Sequence, residues 1–335
     1  MMSAVGGVFA AFGVLSVALL HFFFVLKWLA EPLVAARARA KDEEVDEAER
    51  RRWLSESRTP SPRLSIVIPA YNEASRLPSM LGSVASYLKA SGRVRTTEIL
   101  VISDGSTDET SAVAAAVGEG LNLRVVDLAT NRGKGGAVRE GARRARGDYV
   151  LVADADGATK FDDVERLERR AAATARPVIV VGSRAHLQGD AVATRSPLRN
   201  CLMRGFHLVV RVVGGVRNVR DTQCGFKLLS KKAVPLLAAI RLERWAFDVE
   251  LLFLAQRLGV PILEVPVTWT EVPGSKLSIL KDSLQMARDI ACFRLAYAAN
   301  LWHLPTTIGT TTEVLEQDNA NNIVSKNRKT TKKSH

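Results

Sequence analysis

The chain has 335 residues, 47% of them hydrophobic and 24% charged, and carries a formal charge of +12 from 47 Lys and Arg against 35 Asp and Glu. This balance excludes a wholly disordered, collagen-like or many-span membrane chain, and the length allows one large α/β domain with appendages. The positive excess favours anionic partners: phosphates, acidic lipid or nucleic acid.

From Ser3 to Leu26 no charged residue occurs, a run longer than the ~20 residues a helix needs to cross the hydrocarbon core. It predicts one transmembrane helix, with residues 1–30 forming a lumenal amino terminus and anchor. A secretory signal peptide would need a basic leading region, and Met1 to Val5 carries neither Lys nor Arg. Lys27, Arg37, Arg39 and Lys41 follow with only Glu31 opposing them, which places everything after the span in the cytosol. Residues 31–62 read as a charged stalk and linker that ends at Thr59-Pro60-Ser61-Pro62, where proline disfavours helix.

Between residues 63 and 270 short apolar runs alternate with helical segments, the pattern of parallel βαβ units. The runs are Leu64–Pro69, Glu98–Ile102, Leu123–Val126, Tyr149–Val152 and Val178–Val181. In such open sheets ligands bind beyond the carboxyl ends of the strands. The first run is followed by Tyr71-Asn72-Glu73, the second by Asp104-Gly105-Ser106-Thr107-Asp108, and the fourth by Asp154-Ala155-Asp156-Gly157. Three strands thus bring carboxylates to one edge, where they would repel unless a divalent cation and a cationic wall joined them. Asp154 and Asp156, two apart on extended backbone, share a face and suit Mg2+ or Mn2+. Asp108 is expected to cap a helix over Glu109–Val117 while Asp104 faces the ligand. Asn131-Arg132-Gly133-Lys134-Gly135-Gly136-Ala137 opens a further helix, so its N–H groups and Lys134 can meet a pyrophosphate. Neither a Walker A loop nor a G-x-G-x-x-G fingerprint is present.

Residues 271–305 read as an amphipathic helix, either lying at a membrane interface or packed on the domain. Leu277, Leu280, Leu284, Ala287, Ala291, Leu295 and Ala298 recur at helical steps, with Lys276, Lys281, Arg288 and Arg294 among them. Residues 306–335 are polar and basic and read as a disordered tail. It closes on Lys332-Lys333-Ser334-His335, which resembles a cytosolic dilysine retrieval signal. Cys201, Cys224 and Cys292 lie far apart without a C-x-x-C pair, so neither a disulfide framework nor a zinc site is signalled.

Taken together these strings resemble the inverting family 2 glycosyltransferases, whose GT-A fold is a Rossmann-like, mostly parallel mixed sheet flanked by helices. Within that family Asp154-Ala155-Asp156-Gly157-Ala158-Thr159, Gly182-Ser183-Arg184, Asp221-Thr222-Gln223-Cys224-Gly225-Phe226-Lys227 and Arg244-Trp245-Ala246-Phe247-Asp248-Val249-Glu250 are similar to a eukaryotic branch. That branch moves glucose from UDP-glucose to dolichyl phosphate at the cytosolic face of the endoplasmic reticulum, for N-glycan precursor assembly. One departure is Ser103, where the family commonly has a second aspartate. The resemblance implies that Asp104 meets the uridine, with Pro69, Tyr71 and Glu73 completing the nucleoside pocket. It implies Asp154 and Asp156 for the sugar diphosphate and metal, and Arg184, Lys227 and Lys276 for the acceptor phosphate.

Asp156, Asp248 and Asp221 are the residues expected to carry the reaction. A phosphate monoester is already largely dianionic near neutral pH, so proton abstraction is not the main difficulty. If a carboxylate serves as base, Asp248 is the first candidate and Asp221 the second, and either could instead pair with Arg184 or Lys227. Two other readings stay open: a polyprenyl-phosphate mannosyltransferase using GDP-mannose, and a non-catalytic, membrane-anchored nucleotide-sugar binding module. Nucleic acid is not an expected partner, since few aromatics accompany the basic clusters and no binding motif occurs.

Overall fold

A computed structural model describes residues 26–34, 61–174, 177–187, 197–274 and 279–305. The apolar run up to Val25, most of the stalk, Lys276 and the basic tail lie outside the described residues. No helix among the described residues is long and apolar enough to cross a membrane.

The described chain begins with a short helix, α1 (residues 26–34). The domain then runs β1 (Leu64–Ala70), α2 (Leu77–Ala90), β2 (Thr97–Ser103), α3 (Thr110–Val117), β3 (Leu123–Asp127), α4 (Lys134–Arg144), β4 (Tyr149–Val152) and α5 (Val164–Ala172). It continues with β5 (Ile179–Ser183), α6 (Pro197–Val212), β6 (Lys227–Ser230), α7 (Val234–Ala238), α8 (Phe247–Arg257), β7 (Ile262–Pro266) and α9 (Ile279–Ala298).

All five expected strands form, and β6 and β7 are additional. They make one seven-stranded sheet in the order β3-β2-β1-β4-β6-β5-β7. β1 and β2 are buried along their full lengths, with Ser65 donating to Glu98 where they interrupt the β-branched and aliphatic side chains of two strands covered on both faces. Each such side chain contributes about 1.5–3 kcal/mol relative to exposure. Every pairing is parallel except those of β6, which runs antiparallel to β4 and β5. This reversal has a positional result. Lys227, the first residue of β6, sits opposite both Val152 and Val181, near the carboxyl ends of β4 and β5. Pro69 pairs with Ile102 inside β1, beyond Val67, the last residue of β1 that pairs with β4, so its missing donor falls where those two strands part.

The last helix follows the packed alternative on one of its faces. The face that α9 packs on the domain carries Met286, Ile290, Phe293 and Ala296, with Phe253 of α8 lying 5.4 Å from Phe293 between ring centres. The stripe singled out from the sequence points elsewhere: Leu284 and Leu295 are 61% and 69% exposed. The helix therefore has two apolar faces, one in the core and one outward. Arg288, expected at a lipid surface, is buried instead. Its guanidinium pairs with Asp289 at 2.6 Å and with Glu31 of α1 at 2.7 Å, and lies 4.8 Å from the Trp28 ring centre. Helix α1 is thus docked on α9.

Candidate active site

The carboxyl ends of β1, β2, β4 and β5 and the start of β6 converge on one edge, and the expected polar residues collect there. Asn72, in a left-handed conformation (φ 52°), stitches the first two loops together. Its amide donates to Ser106 Oγ and its Oδ1 accepts from Thr107 N–H. The N-cap of α3 is Glu109, not the expected Asp108; Asp108, one residue earlier, accepts from Thr110 N–H at 3.0 Å and from Ala74 N–H. Tyr71 is exposed at this edge. Pro69 is buried in β1 and shapes the turn from inside rather than lining a pocket. Glu73 is buried in a two-pronged pair with Arg76, at 2.7 and 2.6 Å.

Asp104 is buried, and its two carboxylate oxygens accept from the backbone N–H groups of Arg132 and Gly133, each at 2.7 Å. It therefore holds the loop that presents Lys134. Burial pushes its pKa up to about 6 despite those two donors. The loop enters α4, where Gly135 passes so close to the Leu242 carbonyl and Phe247 Cβ that any side chain would collide.

Lys134 reaches Asp154 with its Nζ 2.6 Å from Oδ1, and lies 5.8 Å from the centre of the Trp245 ring. Burial works against the Lys134 ammonium, but Asp154, Asp248 and Asp156 outweigh it and hold its pKa above the ordinary lysine value. Burial likewise opposes ionisation of Asp154, and Lys134, with Lys227 and Arg184 beyond, reverses the balance and holds its carboxyl below the usual range. Asp156 is raised, first by burial and then by Asp154; its Oδ1 accepts from Ala158 N–H at 3.0 Å. The segment after it is pinned by the strand-like stretch following β7, through Lys160 N–H to Thr268 O and Thr270 N–H to Ala158 O. Gly225 faces Asp154, and a β-carbon there would overlap the carboxylate.

Behind these lie two ion pairs. Arg184 grips Asp221 with Nε at 2.7 Å and a second nitrogen at 2.8 Å, while its backbone N–H also donates to Asp221. The guanidinium stands 5.6 Å from the Trp269 ring centre and stays partly exposed. Asp221 is oriented by Glu264 of β7, which accepts its backbone N–H at 2.9 Å. Burial resists ionisation of Asp221 but Arg184 prevails, so its pKa is lowered. The second pair corrects an expectation. Lys227 is 1% exposed and donates to Asp248 Oδ1 at 2.6 Å and to the Cys224 carbonyl at 2.5 Å. Antiparallel β6 carries it beneath the edge, so it supports the site from below and does not present a free ammonium to an acceptor phosphate. Asp248 is buried with it, its pKa raised by burial against the pull of Lys227 and Lys134. Glu250, two residues on, accepts from the N–H groups of Arg241 and Leu242 and from the Tyr297 hydroxyl, a structural role.

Among the described residues no three His, Cys, Asp or Glu side chains cluster closely enough to hold a metal by themselves. Asp154 and Asp156 offer two hard oxygen donors, a set that fits Mg2+ or Mn2+ when phosphate oxygens and water complete the shell. Arg76, Trp245, Trp269 and Gly225 were not singled out as site residues from the sequence. Arg76 has a local signal in its i,i+3 spacing from Glu73, and Gly225 and Trp245 lie inside strings that carry the family resemblance.

The Glycosyl transferase family 2 model matches residues 65–234, spanning the strands and loops just described. The chain belongs to glycosyl transferase family 2. It is 46% identical over 261 residues to a dolichyl-phosphate β-glucosyltransferase of Mus musculus, covering 74% of this chain and 80% of that one. It is 48% identical over 257 residues to the Drosophila melanogaster protein of the same name, covering 73% and 78%. Among solved family-type folds, glucosyl-3-phosphoglycerate synthase from Mycobacterium tuberculosis in complex with phosphoglyceric acid superposes with a TM-score of 0.50 at 20% identity, covering 70% of this chain and 79% of that chain. This likeness agrees with the GT-A-like mixed sheet.

Proposed function

We propose that this family 2 glycosyltransferase moves glucose from UDP-glucose to dolichyl phosphate with inversion, giving dolichyl β-D-glucosyl phosphate. The observation that carries the reading is the gathering of Asp154, Asp156, Lys134 and Arg184 at one sheet edge in a chain 46% identical to a protein of that activity. Asp154 and Asp156 would hold Mg2+ or Mn2+, which when bound supplies charge neutralisation for the departing diphosphate. Lys134 is the cation best placed to share that charge, held ready by Asp154 and by the loop that Asp104 fixes. Tyr71, exposed at this edge, would meet the nucleoside, and Asp104 would support it through the loop that it holds.

The acceptor phosphate is its own nucleophile. At neutral pH it is largely dianionic, so attack on the anomeric carbon needs orientation more than a base. Arg184, partly exposed and aimed by Asp221 and Trp269, is the guanidinium proposed to grip two of its oxygens. Asp221 and Asp248, each already committed to a cation, act as positioning residues. Membrane placement completes the reading. The apolar run from Ser3 to Leu26 is proposed to span the endoplasmic reticulum membrane once, with the catalytic domain in the cytosol, and the outward face of α9 would meet the bilayer.

The test uses purified full-length protein, dolichyl phosphate, Mg2+ or Mn2+, and labelled UDP-glucose in parallel with GDP-mannose. Metal-dependent label in the lipid phase from UDP-glucose alone is the expected result. Label from GDP-mannose would keep the reaction and overturn the sugar, and label from neither, with UDP binding intact, would overturn the transferase reading.

A further inference from the structure

Helix α8 carries Asp248 to the active site in its first turn and ends at Arg257, where the chain forms a cavity of about 520 Å3. It is lined by Arg211, Val212, Arg217, Phe253, Arg257 and Arg294 among others. Four arginines therefore line one hollow, and among the described residues none of the four has a carboxylate partner. Several other arginines of the domain are paired: Arg93 with Glu168, Arg132 and Arg144 with Glu140, Arg146 with Glu98, Arg184 with Asp221. Gathering like charges without a counter-ion costs Coulomb energy, which a bound anion would reverse.

The hollow is also built, not incidental. Arg294 donates its Nε–H to the Val213 carbonyl at 2.9 Å and stacks 4.6 Å from the Phe253 ring centre, with Arg257 at 6.0 Å from the same ring. The Gln256 carboxamide accepts from Arg217 N–H and donates to the Arg217 carbonyl, which fixes the loop carrying that arginine. Guanidinium forks match phosphate oxygens in pairs.

The surroundings decide which phosphate. Leu208 and Val212 of α6 are 62% and 69% exposed, and Leu295 on the outward apolar face of α9 directly follows Arg294. A soluble anion has no use for such a rim, whereas a lipid phosphate at a bilayer surface has. We propose that the arginine pocket seats the phosphate group of an anionic bilayer lipid, with Leu208, Val212 and Leu295 entering the interface beside it. This contact is separate from the edge that holds Asp154, Asp156 and Arg184, and it would fix how the domain faces the membrane. The inference shares with the proposed function only the premise that the chain works at a bilayer.

The test measures retention of dioctanoyl phosphatidic acid by the full-length protein in detergent micelles, using native mass spectrometry, with UDP binding followed in the same samples. Replacing three exposed arginines, Arg211→Gln, Arg217→Gln and Arg257→Gln, is expected to weaken lipid retention about tenfold or more while leaving UDP binding unchanged. A charge-matched control, Lys89→Gln, Arg169→Gln and Arg170→Gln, is expected to keep it, and equimolar inorganic phosphate is not expected to displace the lipid. Equal retention in the triple variant and the control would overturn the proposal, and displacement by inorganic phosphate would overturn the lipid as occupant. Should the triple variant lose UDP binding as well, Arg257→Gln alone carries the comparison, and unchanged lipid retention there overturns the proposal.

Discussion

Asp156 and Asp248 are both carboxylates of the same edge, but they stand in opposite surroundings. Asp156 is half-buried and its one hydrogen bond is to the next turn of its own loop, whereas Asp248 is sealed against Lys227. Asp156→Asn keeps the acceptor for Ala158 N–H and removes a metal-ligating charge, so stability is expected to change by under about 1 kcal/mol while turnover falls about 10²–10³-fold. Asp248→Asn leaves a buried ammonium without its counter-charge, and denaturant unfolding should show a loss of about 3–5 kcal/mol with a smaller effect on turnover per folded molecule. A stable but inactive Asp248→Asn protein would instead make that residue the base. Asp104 has a pH signature. Its folded pKa of about 6 lies above its ordinary 3.8, so its contribution to stability is present below about pH 4 and is lost as pH rises through about 6. The ionised form is the one that accepts both N–H groups of the Lys134 loop. UDP affinity should therefore rise through the same window, and Asp104→Asn should flatten that limb in a titration calorimetry series.

Helix α4 shows how an element delivers a side chain. Its start is a glycine run because the Leu242 and Glu243 backbone packs directly on it, with Gly136 N–H donating to Glu243 O at 3.0 Å. Gly135→Ala must push against a carbonyl and the Phe247 side chain, so a loss of about 1–3 kcal/mol and weakened UDP binding are expected from thermal melts and calorimetry. Gly225→Ala, by contrast, strikes the Asp154 carboxylate and should act on the metal-dependent step. β1 to β5 were legible in the sequence because short, largely apolar and β-branched runs build them, and so was the edge, because polar strings follow those runs. β6 was not legible: it is four residues long and opens with a lysine, which reads as surface until Asp248 is known to lie beside it. β7 was hidden by Glu264, whose carboxylate turns to the Arg220 and Asp221 amides. The α9 stripe misled for a related reason. Leu284, Ala287, Ala291 and Leu295 keep helical spacing as well as Met286, Ile290 and Phe293 do, and periodicity alone does not say which face meets the core.

At the scale of the whole molecule, the docking of α1 joins the catalytic domain to the segment proposed to anchor it. Arg288 reaches across to Glu31 and to the Trp28 carbonyl, and Cys292 Sγ lies 3.1 Å from the Leu29 carbonyl, so α1 covers this thiol. Burial raises the Cys292 pKa, which together with the cover keeps the reactive thiolate scarce. The Glu31–Arg288 pair is half-exposed on the Glu31 side and is worth about 1 kcal/mol, equivalent to about fivefold in the docked equilibrium. Glu31→Gln removes the charge without touching the core or the active-site edge. Alkylation of Cys292 by N-ethylmaleimide, followed by peptide mass spectrometry on the full chain, should accelerate by about that factor in the variant. Cys224, buried beneath the sheet edge, provides an internal reference that should not change. Unaltered labelling of Cys292 would mean that α1 is held by the Trp28 contact and the backbone alone, and that the ion pair does not couple the anchor to the domain.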